Sequence, residues 1–136
     1  VCIPSYNEEF TNEAIKSIIR CEPISGVVHI LVLINEPEGC DLAVSEQNQR
    51  MYENLRSMNL KGRFPLSVDY LQLPRKKAGV GLARKILMDK AALLFDSIGK
   101  DGVITCFDAD CTCSDNYLRS IEAAFYKKGV DDYRTF

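Results

Sequence analysis

The 136-residue sequence lacks a long apolar segment and an excess of either charge, and it contains a single histidine. Its longest apolar run, from Val27 to Ile34, is interrupted by His29 and is far shorter than the roughly 20 residues of a membrane-spanning helix. The 17 Lys and Arg residues against 19 Asp and Glu leave a net charge of −2, which gives no electrostatic reason to expect a nucleic-acid partner. These deficits favour a soluble globular domain.

The six cysteines are too few for a disulfide scaffold and too scattered for a metal centre. Disulfide-stapled domains contain about 8–10% cysteine or more, and a thiolate metal site needs paired Cys-x-x-Cys units or nearby histidines. Cys2 and Cys106 lie in apolar runs, where a thiol behaves as a small hydrophobic group. We therefore expect reduced thiols, as in a cytosolic protein.

Short apolar runs alternate with amphipathic segments along the chain. The runs have the length and composition of buried parallel strands: Val1–Pro4, Val27–Ile34, Val68–Leu73 and Val103–Phe107. Apolar residues at helical spacing predict helices at Asn12–Arg20 (capped by Thr11), Ser45–Met58, Leu82–Ile98 (ended by Gly99) and Asp115–Lys128 (before Gly129). The alternation predicts an α/β fold over residues 1–136, with a Rossmann-like parallel sheet and helices on both faces (βαβαβαβα).

Polar loops follow each predicted strand, at the edge where a sheet of this kind binds its ligands. The loops begin near Ser5, Asn35, Arg75 and Asp108. Because the carboxyl ends of parallel strands meet at one edge, we expect the loops to converge. Acidic groups then come from some loops and basic groups from the third, a mixture that suits a diphosphate held by a metal ion and by cationic side chains.

The fourth loop contains two aspartates, Asp108 and Asp110, separated by one residue. In an extended chain, residues two apart point to the same side, so the carboxylates are presented together. A divalent cation between or beside them would relieve their repulsion, and Mg²⁺ takes one or two carboxylates alongside substrate phosphates. The alternative is a pair of solvated aspartates at the start of the next helix, whose first turn favours acids.

The third loop begins like a dinucleotide fingerprint and then departs from it. Gly79-Val80-Gly81 opens a predicted helix, but Arg84 stands where a third glycine would be expected. Free N–H groups at the helix start, together with Lys76, Lys77 and Arg84, would form a phosphate site. A flexible turn with a basic rim is the alternative.

Three stretches occur in a recognisable order over essentially the whole chain: CIPSYNEE at Cys2–Glu9, AGVGLAR at Ala78–Arg84 and FDAD at Phe107–Asp110. Together they resemble the donor-binding half of a family 2 glycosyltransferase, which has the GT-A fold. The resemblance implies metal-dependent, inverting transfer of a hexosyl-type sugar from a nucleotide-diphosphate sugar, with UDP and GDP both open. The acceptor would be a hydroxyl of a glycan, a lipid or a protein.

The resemblance also assigns residues to a nucleoside pocket. Pro4, Tyr6 and Glu8 would line it, with Tyr6 close to the base and Glu8 near the ribose or the base edge. Asn35 falls where the family commonly places an aspartate against the base, and the following Glu36-Pro37-Glu38 departs from the family's acidic pair and Gly-Ser. The base preference is therefore open.

The remaining residues that the resemblance implies face the diphosphate. Arg84 and Lys77 would contact the nucleotide or its diphosphate. Asp108 would lie near the ribose or the sugar, and Asp110, with Asp108 beside it, would hold Mg²⁺ or Mn²⁺.

The general base of an inverting family member comes from the second half of the fold. We therefore expect this chain to be a fragment of a longer glycosyltransferase, with the general base outside it and little transfer activity on its own. The thiols and the nucleotide-sugar donor favour a cytoplasmic location, or the cytosolic face of a membrane in a longer protein.

Two other functions stay open. The chain could be a non-catalytic nucleotide-binding or interaction module, and an unpaired sheet edge could then support a homo-oligomer. The segment from Asp108 to Thr112 is also similar to the first motif of haloacid-dehalogenase-type phosphatases. In those enzymes the other motifs follow downstream of the first one, which makes the phosphatase the weaker alternative.

Overall fold

Strands and helices alternate in the structure, a computed structural model that describes residues 1–58, 60 and 62–126. A parallel sheet contains β1 (Cys2–Ser5), β2 (Ile30–Pro37) and β3 (Leu66–Leu73) in that spatial order. The helices are α1 (Thr11–Ile19), α2 (Leu42–Ser57), α3 (Val80–Ile98) and α4 (Tyr117–Tyr126). The predicted α/β fold is confirmed.

Helices cover both faces of the sheet, as the sequence predicts. Alternate residues of β2 point to opposite faces, which divides the core into two clusters. One cluster packs Ile3, Val32 and Ile34 against α1, α2 and α4, and the other packs Cys2, Leu31 and Leu33 against α3. Within the described residues, no helix combines the length and the apolar character that a membrane crossing requires.

The predicted fourth strand, Val103–Phe107, is reduced to a single bridge between Cys2 and Cys106. The Cys2 amide donates to the Thr105 carbonyl at 2.7 Å, and the Phe107 amide donates to the Cys2 carbonyl at 2.9 Å. A parallel ladder would next need an N–H from residue 4, and Pro4 has none. The prediction of a full strand was therefore wrong in extent, although the segment does lie beside β1.

This bridge places the 105–107 segment on the side of β1 that faces away from β2. From β1 the strands are added in one direction, first β2 and then β3. The chain then crosses back through α3, and the 105–107 segment lies on the other side of β1. Right-handed crossovers in opposite directions put α3 on the face opposite α1 and α2. The strand order reverses between β1 and the 105–107 segment, and parallel sheets bind ligands at such a point.

Several element ends differ from those predicted. Thr11 is the first residue of α1, and its buried hydroxyl is 2.9 Å from the Ser5 hydroxyl, so the predicted Thr11 cap was wrong. β2 begins later than predicted and continues through Pro37, because pairing with β3 extends the strand past its apolar run. Gly99 ends α3 at φ 60°, as predicted.

The other predicted helices are present with shifted ends. α2 begins at Leu42, ahead of the predicted Ser45, and α4 begins at Tyr117, after the predicted Asp115. The predicted end of the last helix at Lys128 and the Gly129 stop lie outside the described residues.

Candidate functional site

A cleft of about 610 Å³ opens at the carboxyl ends of the strands, where the strand order reverses. The ends of β1 and β2, the loops after β1 and β3 and the segment 108–110 contribute to it. Its lining comprises Pro4, Tyr6, Glu8, Asn35, Pro37, Arg75, Ala78, Gly79, Val80, Arg84, Asp108, Ala109 and Asp110. The cleft therefore brings together every site residue expected from the sequence except Lys76 and Lys77.

The first loop supplies one wall of the cleft. Pro4 is buried at the end of β1, whereas Tyr6 is 45% exposed and lines the cleft. Asn7, between Tyr6 and Glu8, adopts a left-handed backbone with φ 52°. Its amide donates to Asn48 Oδ1 at 2.8 Å, which ties the loop to α2.

Glu8 brings a carboxylate close to the aspartates of the fourth loop. Burial raises the pKa of Glu8 above its ordinary value, and the negative charge of Asp110 raises it further. The acidic side of the cleft is therefore a place where carboxylates repel one another, and a bound cation would relieve that repulsion.

The third loop supplies the basic side. A turn after β3, in which the amides of Lys77 and Ala78 donate to the Pro74 carbonyl at 2.8 and 2.9 Å, directs the chain into α3. This turn places Arg75 in the cleft lining, while the exposed Lys77 lies outside that lining. The run of three basic residues was visible in the sequence, but the choice of Arg75 depends on how the turn folds.

The first turn of α3 also faces the cleft. Gly79 and Val80 line it, and no side chain caps the helix start, so backbone N–H groups are directed toward this region. Arg84 forms an ion pair with Asp108, and its Nε atom is buried with no hydrogen-bond partner among the described residues.

Alternation of the backbone around residue 108 explains how the aspartates reach the cleft. Phe107 and Ala109 are buried in the core cluster beneath α1 and α4, so Asp108 and Asp110 are left on the exposed side. Ligand atoms of Asp108, Asp110 and Cys111 lie within 4.8 Å of one another. The Cys111 thiol donates to Asp110 Oδ1 at 3.4 Å, and this hydrogen bond raises the pKa of the thiol.

The end of β2, which the sequence analysis treated as a loop, contains a residue that it did not select, Glu36. Its side chain is buried, and its two carboxylate oxygens accept hydrogen bonds from Ser45, Asn48, Tyr70 and Gln72. Burial by itself raises the pKa of Glu36, but these four donors outweigh it and lower the pKa to about 2. An acidic residue at the end of an apolar strand was the available signal.

The sheet order, the helices on both faces and the cleft at the reversal of strand order define a Rossmann-like fold. A solved structure that the chain resembles is that of S. aureus TarS 1–349, a GT-A type glycosyltransferase. The TM-score is 0.58 at 16% identity, over 99% of this chain and 37% of the TarS chain. At this identity the likeness establishes the fold.

The chain thus spans little more than a third of the TarS structure that it matches. No protein-family model and no curated protein sequence matches it. The narrower assignment to family 2 stays a prediction from the sequence motifs.

Proposed function

We propose that this chain is the donor-binding part of a glycosyltransferase that transfers a sugar from a nucleotide-diphosphate sugar to an acceptor hydroxyl. The observation that carries the proposal is the meeting of Arg75, Arg84 and the start of α3 with Asp108 and Asp110 in one cleft. Cations and helix N–H groups attract a diphosphate, and neighbouring carboxylates attract its metal ion. The GT-A fold supports this interpretation.

The nucleoside would occupy the side of the cleft formed by the first loop and the end of β2. The half-exposed ring of Tyr6, beside Pro4, offers a surface on which a base can stack. Asn35 is buried at the end of β2 and lines the cleft, where its amide can both donate and accept at a base edge. A volume of about 610 Å³ lies within the roughly 300–1,000 Å³ of typical ligand pockets.

The diphosphate would lie between the basic and acidic sides. Asp110 and Asp108 would hold Mg²⁺ or Mn²⁺, and their exposed oxygens fit the preference of these ions for carboxylates and water. The ion would neutralise the nucleotide diphosphate as it leaves. Arg84 and Arg75 would bind phosphate oxygens, and Lys77 on the same turn would add positive charge at the rim.

The chemistry of acceptor activation is not assigned to any described residue. We propose inverting transfer of a hexosyl-type sugar by a family 2 enzyme, with the general base on a part of the protein beyond this chain. A general base must reach the acceptor hydroxyl at hydrogen-bond distance. The isolated chain would then bind donor but transfer sugar slowly or not at all.

Calorimetric titration with UDP and with GDP, each in Mn²⁺ and again in EDTA, tests the proposal. We expect one nucleotide to bind in Mn²⁺ and to lose most of its affinity in EDTA. Binding that is indifferent to the metal would favour a non-catalytic nucleotide-binding module. If the folded chain bound neither nucleotide, the likeness to glycosyltransferases would extend to architecture alone.

A further inference from the structure

Glu36 lies between two residues of the cleft lining, Asn35 and Pro37, and accepts four side-chain hydrogen bonds. Its side chain is 1% exposed. Oε1 accepts from Gln72 Nε2 at 2.9 Å and Ser45 Oγ at 3.2 Å, and Oε2 accepts from Tyr70 Oη at 2.6 Å and Asn48 Nδ2 at 3.2 Å. One carboxylate at the end of β2 therefore joins α2 and β3.

Asn48 extends this network to the cleft wall. Because an ionised carboxylate only accepts hydrogen bonds, Glu36 requires the Nδ2 side of the Asn48 amide to face it. Oδ1 then faces the opposite way, and it accepts the Asn7 amide at 2.8 Å. Asn48 is itself 1% exposed, so its orientation is set by these two contacts and not by solvent.

The Asn7 amide is an effective point at which to hold the first loop. Its φ of 52° is a left-handed conformation that most residues disfavour and asparagine tolerates. The residues on either side of it, Tyr6 and Glu8, line the cleft. A hydrogen bond to Asn7 therefore stabilises the backbone between the two side chains that would receive a nucleoside.

We infer that Glu36 and Asn48 are positioning residues: the Glu36 carboxylate orients the Asn48 amide, which holds Asn7 and thereby presents Tyr6 and Glu8 to the ligand. The part concerning the ligand rests on the proposed nucleotide-binding function. The part concerning the loop does not, because it is a statement about the free protein.

Two variants of the same network separate positioning from general stability. Asn48→Ala removes the bond to Asn7, whereas Tyr70→Phe removes a bond to Glu36 and leaves the Asn48–Asn7 contact in place. Hydrogen–deuterium exchange of residues 5–9 is measured in both, alongside their overall stability. We expect exchange at Asn7 to rise about five- to tenfold in Asn48→Ala, the effect of one lost hydrogen bond, and to change less than about twofold in Tyr70→Phe.

Nucleotide affinity supplies the second readout. Whichever of UDP or GDP binds the wild-type protein in Mn²⁺ should bind Asn48→Ala about tenfold more weakly and Tyr70→Phe nearly normally. If Asn48→Ala fails to fold, Glu36→Gln replaces it: a neutral amide at position 36 no longer dictates the orientation of Asn48, so Asn7 exchange should still rise.

The outcomes distinguish this inference from the proposed function. Equal increases in Asn7 exchange in Asn48→Ala and Tyr70→Phe, or no increase in Asn48→Ala, would overturn the positioning role. A selective increase in Asn48→Ala with no nucleotide binding by the wild-type protein would uphold the loop-positioning role and overturn the proposed function. A selective increase together with a selective loss of affinity supports both.

Discussion

Two acidic regions stand at the same edge of the sheet and differ in how completely the protein satisfies them. Glu36 is 1% exposed and accepts from four side chains. The Asp108 side chain is 52% exposed and pairs with Arg84, and Asp110 accepts from the Cys111 thiol. A carboxylate has about four acceptor positions. Glu36 therefore has no capacity left for a ligand, whereas Asp108 and Asp110 retain theirs.

The two regions also differ in electrostatics. The pKa of Glu36 is lowered to about 2, because its donors outweigh the effect of burial. Near the aspartates the shift is in the other direction: burial and the charge of Asp110 raise the pKa of Glu8. Neutral dipoles already stabilise the negative charge at Glu36, while the aspartate side of the cleft would gain from a cation. We interpret the first region as the support of the site and the second as its binding surface.

Replacing Glu36 should have the largest effect on stability. Glu36→Ala leaves the buried Asn48 amide and the Tyr70 hydroxyl without their acceptor, which should lower the free energy of unfolding by about 3–5 kcal/mol. Glu38→Ala, in the exposed turn after β2, is the matched control and should change stability by less than about 0.5 kcal/mol. Denaturant unfolding measures both. Similar losses in the two variants would mean that the Glu36 network contributes little.

Acid should weaken the same network by protonating Glu36, without any change in the size of its side chain. The pKa of Glu36 lies below its ordinary value of 4.5, so its stabilisation is fully present above about pH 5 and is lost as the pH falls toward 2. A shift of this size corresponds to about 3 kcal/mol. Stability curves of the wild-type protein and Glu36→Gln should therefore converge by about that amount between pH 5 and pH 2. Parallel curves over this range would contradict the lowered pKa.

Changes in the aspartates should affect binding and not folding. Asp110→Asn keeps the side-chain volume but removes a charged oxygen ligand. We expect metal-dependent nucleotide affinity to fall at least about a hundredfold, near 2.7 kcal/mol, with stability nearly unchanged. Asp89→Asn, on the exposed surface of α3 beside Lys85, is the control and should bind like the wild-type protein. Calorimetry in Mn²⁺ measures the nucleotide affinity of both variants. Normal affinity in Asp110→Asn would show that this residue is not part of the metal site.

The proposed binding region was more accessible to sequence analysis than the Glu36 network that supports it. The presentation of Asp108 and Asp110 on one side follows from the two-residue period of an extended chain, and the buried Phe107 and Ala109 confirm that alternation. Local chemistry also explains why Gly99 ends α3, since glycine adopts its left-handed φ of 60° without strain. These features depend on residues that are close in sequence.

Features that depend on distant partners were missed or only partly predicted. Glu36 follows an apolar run and suggests a solvated loop, because its partners Asn48 and Tyr70 are 12 and 34 residues away and meet it only in the folded sheet. The length of the fourth strand was overestimated for a related reason. Its apolar composition is strand-like, but its ladder depends on Pro4 in a neighbouring strand more than a hundred residues earlier.

Arg84 links the two sides of the cleft, and its removal should affect binding less than the change at Asp110. A charged hydrogen bond to phosphate is worth about 1.5–3 kcal/mol, so Arg84→Ala should weaken nucleotide binding by that amount. Its ion pair with Asp108 is substantially exposed, at 39% and 52%, so the loss of the pair itself should cost at most about 1 kcal/mol of stability. Nucleotide titration of Arg84→Ala separates the loss of binding from the loss of the ion pair. Lys85→Ala, at the exposed neighbouring position on α3, is the control. An unchanged dissociation constant would show that Arg84 serves Asp108 and not the ligand, which would move it from the binding surface to its support.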